Sequence, residues 1–181
     1  MKKIALILLT AMLPLMMSAV EPLRFDTVIQ VPNIGKQQIY KSAKQWFVNN
    51  MNDSQKVIEL DNENDAVIMG KFNIPVTYGG ITWHCLSGYL KVTFKFQARD
   101  GRFKLQVYDV YHVGQEQINP LWSEGYVYTS VPEDKGKLKA KQYKKMLEVA
   151  MPKFLFSAET MAVSLEKDIK MGKLEDENED W

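Results

Sequence analysis

The residues of this chain best equipped for chemistry are His84, Cys85 and His112, its two histidines and its one cysteine. Neither histidine stands at a spacing that would let a second side chain share a metal with it. His84 and Cys85 are neighbours. On an extended strand their side chains point to opposite faces, so the imidazole cannot activate the thiol. His112 reaches either of them only through strand pairing. A hydrolase built on these three is a distant reading, and ordinary strand residues are the default one. Among the carboxylates, Asp61, Glu63 and Asp65 alternate through the DNEND stretch at 61–65 as the ligands of a calcium loop would. The glycine and the distal glutamate of an EF-hand are missing, so the stretch reads as a solvated hairpin turn. Gly79 and Gly80 lack the helix and lysine that follow a phosphate-cradling loop. The expectation is a non-enzymatic protein with no metal site and no cofactor.

The cations are more suggestive. Leu90, Val92, Phe94 and Phe96 alternate with Tyr89, Lys91, Thr93, Lys95 and Gln97, and Phe103, Leu105 and Val107 alternate with Arg102, Lys104 and Gln106. Two strands with one apolar face each, joined around Gly101, make a hairpin. A three-residue loop would set Phe96 against Lys104. A four-residue loop of Ala98, Arg99, Asp100 and Gly101 keeps every apolar residue on one side, and is the register expected. It sets Lys91 opposite Tyr108, Thr93 opposite Gln106 and Lys95 opposite Lys104, a like-charge pair. Tyr89, Lys91, Lys95, Arg102, Lys104 and Tyr108 then form a basic, aromatic-flanked patch away from the core. It suits an anionic ligand or partner, against the plainer reading of a solvated, edge-protected face. A second cluster, Lys137, Lys141, Lys144 and Lys145, falls on one helix face, where a solvated surface is the default and peripheral contact with an anionic membrane is the alternative.

These side chains need a scaffold, and the composition permits one. The 181 residues are 46% hydrophobic and 25% charged, which excludes a disordered, collagen-like or disulfide-stapled chain. Twenty-three Lys and Arg against 22 Asp and Glu give no bulk positive charge for nucleic acid. Lys2 and Lys3 precede an uncharged apolar run from Ile4 to Ala19 that Pro14 interrupts. The run is shorter than the roughly 20 residues a spanning helix needs. It reads as a signal peptide, residues 1–19, cleaved after Ala19; no cysteine follows, so a lipoprotein is not expected. The protein is expected in the periplasm or secreted, with no membrane span. Cys85, unpaired in such a compartment, is expected to be buried.

A strand over 23–31 leads to a helix near 36–51, with Ile39, Ala43, Trp46, Phe47 and Met51 on one face. The runs VIEL and AVIMGKFNIPV around DNEND read as a hairpin, with Pro75 at an edge or leaving the sheet. Residues 114–136 form a linker with a possible extra strand. Over 137–171, Leu147, Met151, Phe154, Ala158, Met161 and Leu165 keep helical spacing across Pro152, which predicts a kink more than a break. Residues 172–181 form an acidic tail. The order gives an α+β fold, an antiparallel sheet of about five strands with the N-terminal helix and the long C-terminal helix on one face.

The stretches FDTVIQVPNIGKQQIYKSAKQWF, VIELDNENDAVIMGKF and GYLKVTFKFQARDGRFKLQVYDV, behind an export signal, resemble an exported bacterial family of unknown function with a TATA-binding-protein-like (TBP-like) fold. The resemblance covers roughly residues 25–112. It implies a curved antiparallel sheet backed by helices over a domain spanning 23–113, with no established activity or site residues, and the fold's name does not imply DNA binding. Two functions follow as expectations. One is an interaction module of the cell envelope that works through the open sheet face. The other is a small-ligand carrier with a pocket between sheet and C-terminal helix, lined by Phe94, Leu105, Phe154 and Met161.

Overall fold

Alternating apolar residues let a strand bury one face and wet the other, and that pattern organises most of this chain. The structure, a computed structural model, describes residues 20–51, 57–80, 82–115, 125–133 and 138–178. The proposed signal peptide and Lys137 lie outside the described residues. Strand β1 (Phe25–Gln30) leads to helix α1 (Lys36–Asn50), then β2 (Ile58–Asn62), β3 (Val67–Val76), β4 (Gly88–Arg99), β5 (Arg102–Val113), β6 (Gly125–Tyr126) and helix α2 (Ala140–Asn178). The antiparallel sheet runs β1-β5-β4-β3-β2, and β6 pairs with β5 beyond the end of β1. This is the expected α+β architecture, with a sixth short strand. No described helix is long and apolar enough to cross a membrane.

Helix α1 buries Ile39, Tyr40, Ala43, Trp46 and Phe47 and has no side-chain cap of its own. Its first free amide is met from across the fold: Lys36 N–H donates to Asp100 Oδ1 at 2.7 Å. Asp100 sits in the β4–β5 turn, whose neighbouring Gly101 accepts from Val31 N–H at 2.8 Å and donates to Ile34 at 2.9 Å. Gly101 takes φ +70°, a left-handed conformation that costs glycine little. The turn is thus stapled to the β1–α1 connection.

That turn corrects the expected register. Arg99 pairs with Arg102, Phe96 with Leu105 and Gln97 with Lys104, leaving a two-residue loop of Asp100 and Gly101. Two-residue and four-residue loops differ by an even step, so both keep the apolar faces together and alternation cannot choose between them. The hydrogen bonds to Val31, Ile34 and Lys36 favour the tighter loop. Lys95 consequently faces Gln106, and the like-charge pairing of Lys95 with Lys104 does not form; Lys91 faces Tyr111 because the register shifts once more between Lys91 and Thr93.

Both helices cover the apolar side. Phe47 stacks on Phe94 with ring centroids 4.6 Å apart, Trp46 Nε1–H donates to Ser164 Oγ at 2.8 Å, and Tyr78 Oη donates to the Met146 carbonyl at 2.8 Å. Helix α2 runs through Pro152 unbroken, but its buried seam changes there. After the proline, Phe154, Ala158, Met161 and Leu165 are buried as expected; before it the deepest positions are Tyr143, Met146 and Ala150, with Leu147 and Met151 only half-buried. The helix continues to Asn178, into the stretch read as an acidic tail.

Pro75 lies beyond the last pairing of β2 with β3, on a length of β3 that has no strand neighbour on that side among the described residues. The DNEND stretch is a turn only in part: Asp61 and Asn62 end β2, and the turn runs from Glu63 to Ala66. Asn62 holds the turn through its side chain to Asp65, and Asp61 pairs with Lys44 at 2.6 Å and accepts from Tyr40 Oη.

Candidate functional site

The sheet has one face under helices and one in solvent, and the solvent face carries the tyrosines and lysines. Its shape beside the tyrosines depends on an irregularity between β4 and β5. Thr93 pairs with Tyr108 and Lys91 with Tyr111, so β5 spends three steps where β4 spends two. This is a β-bulge, and Asp109 within it has φ +52°. Before the bulge Phe103, Leu105 and Val107 enter the core; after it Val110 and His112 do. The change of phase leaves both Tyr108 and Tyr111 facing away from the core. Unbroken alternation from Val107 would have buried Tyr111, which is why sequence patterning missed it.

Beside the bulge lies a groove of about 420 Å³ lined by Lys71, Tyr89, Lys91, Thr93, Asp109, Tyr111, Val113 and Tyr126. Strand β6 supplies one wall: Tyr126 meets Tyr111 edge to face at 5.4 Å. Gly125 lies beside the Tyr111 ring and takes φ +91°, a conformation that costs glycine little. Tyr89, Tyr111 and Tyr126 are 37%, 39% and 58% exposed. Lys71 is paired with Glu59 at 2.8 Å, and this hydrogen bond and charge, with the Asp109 carboxylate nearby, raise its pKa. Lys91 has no ion-pair partner among the described residues.

The six candidate residues do not form one patch. Tyr89 and Lys91 share the groove just described. Lys95 and Tyr108 line an adjoining one of about 590 Å³ with Arg24, Gln106 and Asp109. Arg102 and Lys104 stand near the turn, in a third hollow with Val28 and Arg99. At about 3.3 Å per residue, Tyr89 and the turn are roughly 30 Å apart. Lys104 is moreover drawn to Asp26 on β1, at 3.6 Å. Asp26 also accepts from Gln106 at 2.6 Å and from Arg24 Nε at 2.6 Å. Burial alone would raise the Asp26 pKa, but those hydrogen bonds and the charges of Arg24 and Lys104 outweigh it and hold the carboxyl below its ordinary value. Sequence reading had no means to see that β1 would place a carboxylate there.

His84 and Cys85 occupy a single 3-10 turn, His84–Leu86, rather than a strand, so their expected opposite-face geometry does not apply. Cys85 is half-buried. His112 is wholly buried, its Nε2 2.8 Å from the Leu86 carbonyl, and burial pushes its pKa below the ordinary histidine value despite that bond. The three do not converge on solvent. In the second lysine cluster, Lys141 and Lys144 are exposed and Lys145 is paired with Glu148 at 2.9 Å.

Residues 25–112 match the family described as a domain of unknown function (DUF4468) with TBP-like fold. The match covers just under half of the chain, and over that stretch the chain is similar to this family. The match runs from the start of β1 almost to the end of β5, so it includes the strands that carry most of the open face, while β6 and α2 lie outside it. Two solved structures share the fold. A TBP-like protein from Parabacteroides distasonis ATCC 8503 has TM-score 0.60 at 10% identity, over 82% of this chain and 93% of its own. A DUF4468 family protein from Bacteroides ovatus ATCC 8483 has TM-score 0.52 at 14% identity, over 82% of this chain and 86% of its own. No curated protein matches the chain.

Proposed function

We propose that this DUF4468-like protein is exported, loses residues 1–19, and acts in the cell envelope as a non-enzymatic binding module through its open sheet face. The observation that carries the reading is the contrast between the faces. Both helices lie on one side, while the other presents Tyr89, Lys91, Lys95, Tyr108, Tyr111 and Tyr126 on the two strands at the centre of the sheet and on β6. Lys91 and Lys95 have no ion pair among the described residues. Paired strands set these unpaired cations beside tyrosines, so the backbone is already placed for an anionic group and only the lysine side chains must order on binding.

Native mass spectrometry of the protein purified gently from its own envelope fraction tests this. The expected mass starts at Val20, and a retained ligand or partner accompanies it. Lys91→Glu with Lys95→Glu should remove the companion, whereas Lys141→Glu with Lys144→Glu on α2 should not. A companion lost only from the α2 variant would move the binding surface to the helix. The carrier reading gains no support: Phe94, Leu105 and Phe154 have no exposed surface and belong, with Met161, to one continuous core.

A further inference from the structure

The sheet ends on β1 at one edge and β2 at the other, and the two edges are built differently. On the β2 side the register shifts between Ile58 and Leu60, Glu59 stands paired with Lys71, and Pro75 removes a backbone donor. Bulges, charges and prolines of this kind keep an edge from pairing with another chain. β1 has no proline, lysine or bulge, and its register against β5 is unbroken from Phe25 to Gln30. Its one charged residue, Asp26, accepts from Arg24 Nε at 2.6 Å. We infer that β1 pairs antiparallel with β1 of a second copy about a two-fold axis at Thr27, joining two sheets into one. The inference is independent of the open face being a binding surface.

Three observations carry it. First, the outer backbone of β1 is unused. Val31 N–H donates to Gly101 and Leu23 N–H to Val127, so odd-numbered residues turn their backbone groups into the sheet. Alternation turns those of Arg24, Asp26, Val28 and Gln30 outward, where no described residue bonds them. Second, the apolar layer stops short there. Phe25 and Ile29 are half-buried, whereas Val107 and Phe103, their partners on β5, are buried. On the other face Val28 is 52% exposed. Third, the strand matches itself. A two-fold at Thr27 sets Phe25 against the second copy's Ile29, Thr27 against its Thr27, Asp26 against its Val28 and Arg24 against its Gln30. No like charges are directly opposite, and aromatic with β-branched and Thr with Thr are favourable cross-strand pairs. An axis at Asp26 would oppose two carboxylates, and one at Val28 would bring in Pro32, which has no N–H to give. Such a contact uses the same surface on both copies and closes as a dimer. Its axis is perpendicular to the sheet, so both open faces lie on one side.

Sedimentation velocity of the protein purified from its envelope fraction, across a dilution series reaching high micromolar, tests it, and a dimer is expected. Val28→Pro removes an outward N–H and keeps every bond to β5, as a proline at a sheet edge can. Val28→Asp sets a carboxylate against Asp26 of the second copy. Each should raise the dimer dissociation constant by about tenfold or more, and far-ultraviolet circular dichroism should match the parent. Lys91→Glu with Lys95→Glu should leave the dimer unchanged, which keeps this test separate from that of the open face. In a Cys85→Ala background, Thr27→Cys should form an intersubunit disulfide on oxidation. Opposed residues of that type lie about 4.5 Å apart between Cα atoms, within disulfide reach. Val28→Cys in the same background should not. Crosslinking at residue 28 and not at 27 would overturn the Thr27 axis. A monomer at every concentration, or a dimer that both Val28 variants leave intact, would overturn the pairing. A monomer that instead carries another protein, lost from both Val28 variants, would overturn the second copy as occupant of this edge.

Discussion

Asp100 and His112 show how much depends on single side chains that alternation alone does not flag. Asp100 caps α1 from a turn far away in sequence, so its loss should be felt as a helix-cap loss. Asp100→Ala is expected to destabilise the fold by about 1 kcal/mol, and Asp100→Asn, which keeps an acceptor, by much less. Urea unfolding of the two variants measures it; equal losses would mean the capping bond contributes little. His112 is held neutral by burial, with a pKa below the 6.5 of a free imidazole. Between the folded value and 6.5 the unfolded chain binds more protons than the folded one. Stability contributed by His112 is therefore intact above 6.5 and lost as the pH falls through that window. Asp26 and Asp61, both held below ordinary carboxyl values, add their own loss only at lower pH. For Asp61 burial alone would raise the pKa, and the hydrogen bonds from Lys44 and Tyr40 with the Lys44 charge reverse it. Melting temperatures between pH 7.5 and 5 should fall for the parent and stay flatter for His112→Phe. Parallel curves would mean that His112 is not the group responsible.

At the scale of elements, sequence and structure agree where burial is periodic and part where a backbone event breaks the period. Ile39 to Phe47 gave α1, and VIEL around DNEND gave the β2–β3 hairpin, because each side chain reports its own environment. The β4–β5 loop was legible only to an even number of residues, since Phe96 stays on the apolar face in either register. The bulge at Asp109 was hidden because Tyr and Val suit both faces of a strand. Its signal was Val110 standing three after Val107 where alternation demands two or four. That bulge sets the candidate site, so the site was legible in Tyr89 and Lys91 and invisible in Tyr111 and Tyr126. Asp109→Gly relieves a left-handed residue and should be neutral or stabilising by up to about 1 kcal/mol, whereas Asp109→Val should cost about 1–2 kcal/mol. Chemical denaturation of both variants decides it. Equal effects would mean the conformation carries no strain.

For the whole molecule, the helices and the sheet divide the work. Phe47, Phe94, Phe154 and their neighbours form a core on one side, which frees the other side from any duty to stability. The lysines and exposed rings there lie on strands whose opposite face is buried in that core. Hydroxyl-radical footprinting of the protein in intact cells, compared with the purified protein, measures this division directly. Tyr89, Tyr111 and Tyr126 should be protected in cells, while Phe156, exposed on α2, should react equally in both settings. Equal reactivity of all four residues in both settings, or protection of Phe156 alone, would contradict it.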